Sequence, residues 1–406
     1  MYSHSSIVQS SEIAQAVGMA GTDENARWTD ALLDRMRELG DPVADAPVAA
    51  VLDRGGVDAV HTMMRSLVRA DQAVPQELPD EIQAYLIESL PLPEWADMDK
   101  IRRGQQLFET WGVEIAICLF CASLPSSYAA ANGVKALYLT ARLDTDARRR
   151  VMETGQFLID VLTVGGLDEH GKGRRTIQRV RLMHAAVRHL IKARDELTPG
   201  MWHSDWGTPI NQEDLAGTLL SFSYVVADPL VRLGVRVSAP DVDAYLHLWN
   251  VIGHLLGVRD ELLVRDVADA AALVDSIGRR QFAASLEGQE LTRALLDLLD
   301  ELTPLHRFDD TIPPLIRHLI GDQTADLLAV PKSDLADGRL ARIANWSFVH
   351  VVGRVERDVP RYQLMSELAR PFGRELLTSL FRFERGGERA PFDIPDHLAR
   401  TWDILA

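Results

Sequence analysis

Arg175-Thr176-Ile177-Gln178-Arg179-Val180-Arg181-Leu182-Met183-His184-Ala185-Ala186-Val187-Arg188-His189-Leu190-Ile191 is the stretch whose reading decides the fold. Ile177, Val180, His184, Val187 and Ile191 recur at three- and four-residue spacing, so they share one face of a helix. The same period runs through most of the chain, and no series of alternating strand patterns interrupts it. The fold class is therefore all-α. His184 sits in the middle of this apolar stripe, Arg181 and Arg188 flank it, and His189 points to roughly the opposite side. An imidazole in an apolar wall either satisfies both nitrogens with protein groups or gives a lone pair to a metal. Periodicity leaves both readings open.

The preceding helix carries a second stripe. Arg150 and Thr154 lie four apart, and Phe157, Leu158 and Val161 continue their face. An arginine on an apolar stripe needs an anion, because an unpaired buried charge is expensive. Downstream, Asn211 caps a helix with Glu213 and Asp214 in its first turn. Ser238 and Pro240 open another that Gly257 ends. His247 and His254 fall on one face of that helix, two turns apart, too far for an i, i+4 metal pair. Both are expected to pack structurally.

The organisation that follows is a helical extension over 1–95, closed by the rigid run Pro91-Leu92-Pro93-Glu94-Trp95, a central region over 96–330, and a C-terminal extension over 331–406 packed on it. The extension opens with a polar leader and a helix closed at Gly40-Asp41-Pro42, then two helices over 46–70 and 76–90. Core helices are expected over about 101–122, from a cap at Asp144 or Thr145 to Gly165-Gly166, and over 175–195. Prolines at 331, 360, 371, 391 and 395 break up the tail.

Bulk properties exclude several functions. The 406 residues are 47% apolar and 25% charged, an ordinary globular composition able to enclose a sizeable prosthetic group. A net charge of -16 repels phosphate backbones and anionic lipid, so nucleic acid and membrane surfaces are not expected partners. Cys118 and Cys121 are the only cysteines and lie in an apolar run, which points to buried core thiols in a reducing compartment. The N-terminus has no basic n-region and no long apolar run, and no apolar stretch reaches the ~18 residues of a membrane span. A cytoplasmic location is expected. A dinucleotide fingerprint, a phosphate loop, a nucleophile elbow and a zinc-protease motif are all absent, and Gly171-Lys172-Gly173 is too short a signal for phosphate.

Four segments in order resemble the latex-clearing protein (rubber oxygenase) and mpaB oxygenase family. They are Arg149-Arg150-Val151-Met152-Glu153-Thr154, Arg179 to Arg188, Pro209-Ile210-Asn211-Gln212-Glu213-Asp214-Leu215, and Trp249 to Gly257. The resemblance spans about 100 to 330. It implies a globin-like helical core around haem b, with His184 as the proximal iron ligand. Without a Cys-x-x-Cys-His motif, such a haem is held non-covalently. Arg150 and Thr154 match the family's arginine and threonine, and His189, His247 and His254 match its further histidines.

Departures are equally specific. The family's glutamate base, about sixteen residues before the arginine, has no counterpart between Asn132 and Asp144. Glu153 stands where one member has a lysine over the open face of the iron. The expected function is a haem-dependent oxygenase taking dioxygen and a small or medium apolar metabolite, isoprenoids among the candidates. Arg150, Thr154 and Glu153 are the candidate catalytic residues, Glu153 as a proton shuttle. His184, Arg150, Arg181, Arg188 and His254 are the candidate cofactor-binding residues. The alternatives are a haem sensor or carrier without turnover, and a haem isomerase, dehydratase or peroxygenase.

Overall fold

A computed structural model of the protein describes residues 27–69, 78–140, 147–233, 235–302, 312–332, 370–374, 376 and 377. Asp144, Thr145, the leader and most of the tail lie outside these residues. Asp30–Glu38 (α1), Pro42–Arg69 (α2) and Asp80–Glu88 (α3) precede Met98–Cys118 (α4) and a π-helical turn, Leu119–Ser123. Leu124–Ala129 (α5), Gly133–Thr140 (α6), Ala147–Leu162 (α7) and Lys172–Leu197 (α8) follow. Then come Gln212–Phe222 (α9), Tyr224–Arg232 (α10), Ala239–Leu255 (α11) and Val267–Gln281 (α12). Leu286–Leu302 (α13), Ile312–Ile320 (α14) and Asp322–Leu327 (α15) complete the order. Among the described residues the one extended pairing is an isolated bridge between Ala130 and Phe282. The fold is all-α, as the periodicity requires.

α4 and α11 form the central pair of the main core. Gly104 permits their close approach, since a Cβ there would stand 2.9 Å from the Ala244 carbonyl oxygen. A second apolar cluster joins α2, α3 and α8 through residues such as Val48, Met63, Ile82 and Leu182. α8 therefore lies between two cores. Ile177 faces the main one, and Leu182, Ala185 and Ala186 face the other.

A tight turn sets α7 against α8. A Cβ at Gly173 would come 2.7 Å from the carbonyl oxygens of Asp160 and Gly166, so only glycine lets the two chains touch. The Gly171-Lys172-Gly173 run is thus a packing device. Asn211 caps α9 by accepting from the Asp214 amide at 3.0 Å. Ser238 and Asp241 form a reciprocal capping box at the start of α11, and Gly257, at φ +86°, ends it. Cys118 and Cys121 are fully buried, and burial pushes both thiols well above their usual range.

One sequence expectation is corrected. Met98–Ala129 and Gln212–Arg232 are each long and apolar enough, by length and composition, to cross a membrane. The π turn continues α4 directly into α5, which lengthens the run beyond what the separate segments show. Most of each stretch is buried inside the protein, as core helices are.

Candidate functional site

His184 projects from α8 between the buried side chains of Arg181 and Arg188. Val180, His184 and Val187 stay partly exposed on a helix that is otherwise packed from both sides. The Nδ1 atom of His184 is buried and has no protein hydrogen-bond partner. A buried polar nitrogen left unclaimed needs an explanation. Burial, reinforced by the Arg188 charge and only partly offset by Asp41, pulls the imidazole pKa down to about 4. The ring is neutral at physiological pH, the form in which a histidine binds a metal. Among the described residues no group of three or more His, Cys, Asp or Glu could hold an ion. A lone neutral imidazole suits an iron whose other ligands come from a macrocycle, so the residue fits haem as the resemblance implies.

α7 brings Arg150 and Thr154 level with it. Thr176 on α8 donates to Asp160 on α7 at 2.7 Å, which fixes the register of the two packed helices. At 1.5 Å per residue His184 stands ~12 Å along α8 from that contact, and Thr154 and Arg150 stand ~9 and ~15 Å along α7. The imidazole thus falls between the two α7 side chains in height. Arg150 is partly buried and donates through Nη1 to the Leu137 carbonyl of α6 at 2.9 Å. Its charge also reaches Tyr128, whose buried hydroxyl is pushed up to about 12 by desolvation, against the pull of Arg150. Glu153 is exposed, three residues and about 60° around α7 from Arg150.

The other candidate residues hold the scaffold. Arg181 makes a two-point pair with Asp41, at 2.6 and 2.8 Å, and reaches the Leu255 carbonyl. Arg188 pairs with Asp45 and donates to the carbonyls of Pro209 and Ile210. Each guanidinium, expected at a cofactor, is answered by a carboxylate of the N-terminal helices. Together they tie α8 to α2, to α11 and to the loop before α9. His189 contacts the Asp45 carbonyl oxygen. His247 accepts from the Asp97 amide, His254 pairs with Asp260, and Trp95 stands edge-on to both rings at 5.8 Å. His254 also lines a surface cleft of about 880 Å³ with Arg181, Tyr85 and Gly257, a lining that does not include His184.

The structure adds residues that sequence reasoning passed over. Glu213 is fully buried and accepts from Arg37, Arg280 and Gln281. Asp214, next to it, accepts from Arg37 at 3.0 Å and from the Asn211 side chain at 2.7 Å. Desolvation raises its carboxyl to about 6, against the Arg37 charge and with help from Glu213. Such a group binds its proton more tightly folded than unfolded. The stability it contributes is complete below the ordinary 3.8 and is lost as pH rises through about 6. One turn on, Thr218 is exposed although Leu215, Ala216, Leu219 and Leu220 around it are buried. Ser221, on the same side of α9, meets the hydroxyls of Ser123 and Ser127 at 3.3 and 3.1 Å. The only sequence signal for this polar strip was the capping pattern at Asn211.

Comparison with known proteins gives concordant results. The sequence model described as ER-bound oxygenase mpaB/B′/rubber oxygenase, catalytic domain, matches residues 116–353. Rubber oxygenase of Streptomyces sp. (strain K30) is 31% identical over 311 residues, 74% of this chain and 73% of that protein. The solved structure of latex clearing protein LCP in the closed state superposes with a TM-score of 0.67 at 28% identity. That match covers 89% of this chain and 95% of the other.

Proposed function

As a member of the mpaB/B′ and rubber-oxygenase family the chain is an oxygenase, and we propose that it works with a non-covalent haem b held by His184, on a small or medium apolar substrate. The observation that carries this reading is the imidazole itself, buried at Nδ1, unclaimed by the protein and neutral through a pKa near 4. When bound, the haem supplies oxygen binding and redox chemistry, and the protein supplies position, polarity and access. His184 presents a neutral nitrogen from a helix clamped at both flanks by Arg181 and Arg188. Arg150 places a fixed positive charge at the height of that ring, where charge developing on a reacting oxygen is stabilised. Thr154 offers a hydroxyl on the same face.

The test is oxygen uptake by haem-loaded protein with a panel of apolar alkenes, short isoprenoids included. Uptake that rises with one alkene and yields a carbonyl product is the expected result. Haem-loaded protein that consumes no oxygen with any of them supports a sensor or carrier instead. Turnover without oxygen, or only with added peroxide, overturns the oxygenase mechanism in favour of another haem reaction.

A further inference from the structure

The geometry points to Asp214 as the group that holds and returns a proton for this site, an inference that rests on the haem-oxygenase reading above. Three observations place it there. The carboxylate is 13% exposed; among the described residues Oδ1 accepts from Arg37 and Oδ2 from the Asn211 cap, and Oδ1 lies against Gly133. A Cβ at Gly133 would stand 2.9 Å from that oxygen, so α6 makes room for the carboxylate by carrying no side chain. Four residues on, one helical turn, the Leu137 carbonyl accepts from Arg150. The Asp214 carboxylate and the Arg150 guanidinium therefore meet α6 within one turn of each other.

The second helix agrees. Asp214 shares its side of α9 with exposed Thr218, and the strip continues to the hydroxyls of buried Ser221 and half-buried Ser127. The loop before α9 is held by Arg188, one turn along α8 from His184. Thus the helices carrying the imidazole, the arginine and the carboxylate are locked together at this level.

The charged neighbours are few and named. Arg37 of α1 bonds the carboxylate directly. Glu213 lies beside it and is itself held by Arg280 of α12, which also pairs with Asp30 and Asp34. Lys135 of α6 is engaged by Glu287. Desolvation, dominant over Arg37, raises the carboxyl to about 6, toward the range where an acid–base residue is effective. It accepts one proton and gives the same proton back, so no other reactant is required.

The test is a pH titration of the Soret band of haem-loaded wild type, Asp214→Asn and Gly133→Ala, with kcat measured in parallel. Wild type is expected to show an inflection near pH 6 that Asp214→Asn abolishes. In Gly133→Ala the added Cβ presses on Oδ1, and the inflection moves while the carboxyl remains. The asparagine variant should keep its haem and lose about 100-fold in kcat, within the range of acid–base catalysis. Haem retained, with the inflection absent from wild type or persisting in Asp214→Asn, overturns the assignment and leaves the haem reading intact. Failure of the wild type to take up haem overturns both.

Discussion

Glu213→Ala should lower the unfolding free energy by about 3 kcal/mol, the low end of the cost of breaking a buried ion pair. The carboxylate has no solvent exposure and takes three hydrogen bonds, at 3.1 Å from Arg37, 2.9 Å from Arg280 and 3.0 Å from Gln281. Removing it leaves two guanidiniums short of a counter-charge. Arg37 keeps Asp214, and Arg280 keeps Asp30 and Asp34 near the surface, which is why the loss stops short of the upper limit of about 5 kcal/mol. Glu213→Gln retains one acceptor and should cost about 1–2 kcal/mol, the penalty of a weakened hydrogen bond. Equilibrium unfolding in urea checks both. An alanine variant within about 0.5 kcal/mol of wild type, the range of an inert surface change, would show that the network carries no stability.

Arg150→Ala should reduce kcat by about 100- to 1,000-fold, the loss typical of removing one preorganised donor to a developing charge. Its haem content should remain near that of wild type, because His184 on α8 is untouched. Arg150→Lys keeps the charge and loses the fork that reaches Leu137, so an intermediate rate is expected. Steady-state oxygen uptake, normalised to bound haem, makes the comparison. An alanine variant with wild-type kcat would remove Arg150 from the reaction and confine it to bracing α6.

The sequence made the local devices legible. Asn211, Ser238 and Gly257 act within four residues of the helix ends they define, so spacing alone located those ends. His184 was placed on a buried face by period, and the register of α7 and α8 brings it level with Arg150 and Thr154. What stayed hidden depends on partners far along the chain. Arg37 and Glu213 are 176 positions apart, and no pattern announces that they pair. The partners of Arg181 and Arg188 lie 140 and 143 positions away, so spacing alone gave no sign that the two arginines clamp α8. Asp214 reads only as an acid in the first turn of α9, because its burial comes from tertiary packing against α1 and α6.

The central claim is that an imidazole of α8 grips the iron, and one pair of absorption spectra tests it most directly. Wild type and His184→Ala, each expressed with haem supplied, are recorded in oxidised and dithionite-reduced forms. Wild type is expected to show a Soret band with histidine-ligated features, and the variant either no bound haem or a changed axial ligand restored by added imidazole. A variant that binds haem with the wild-type spectrum in both oxidation states would contradict it.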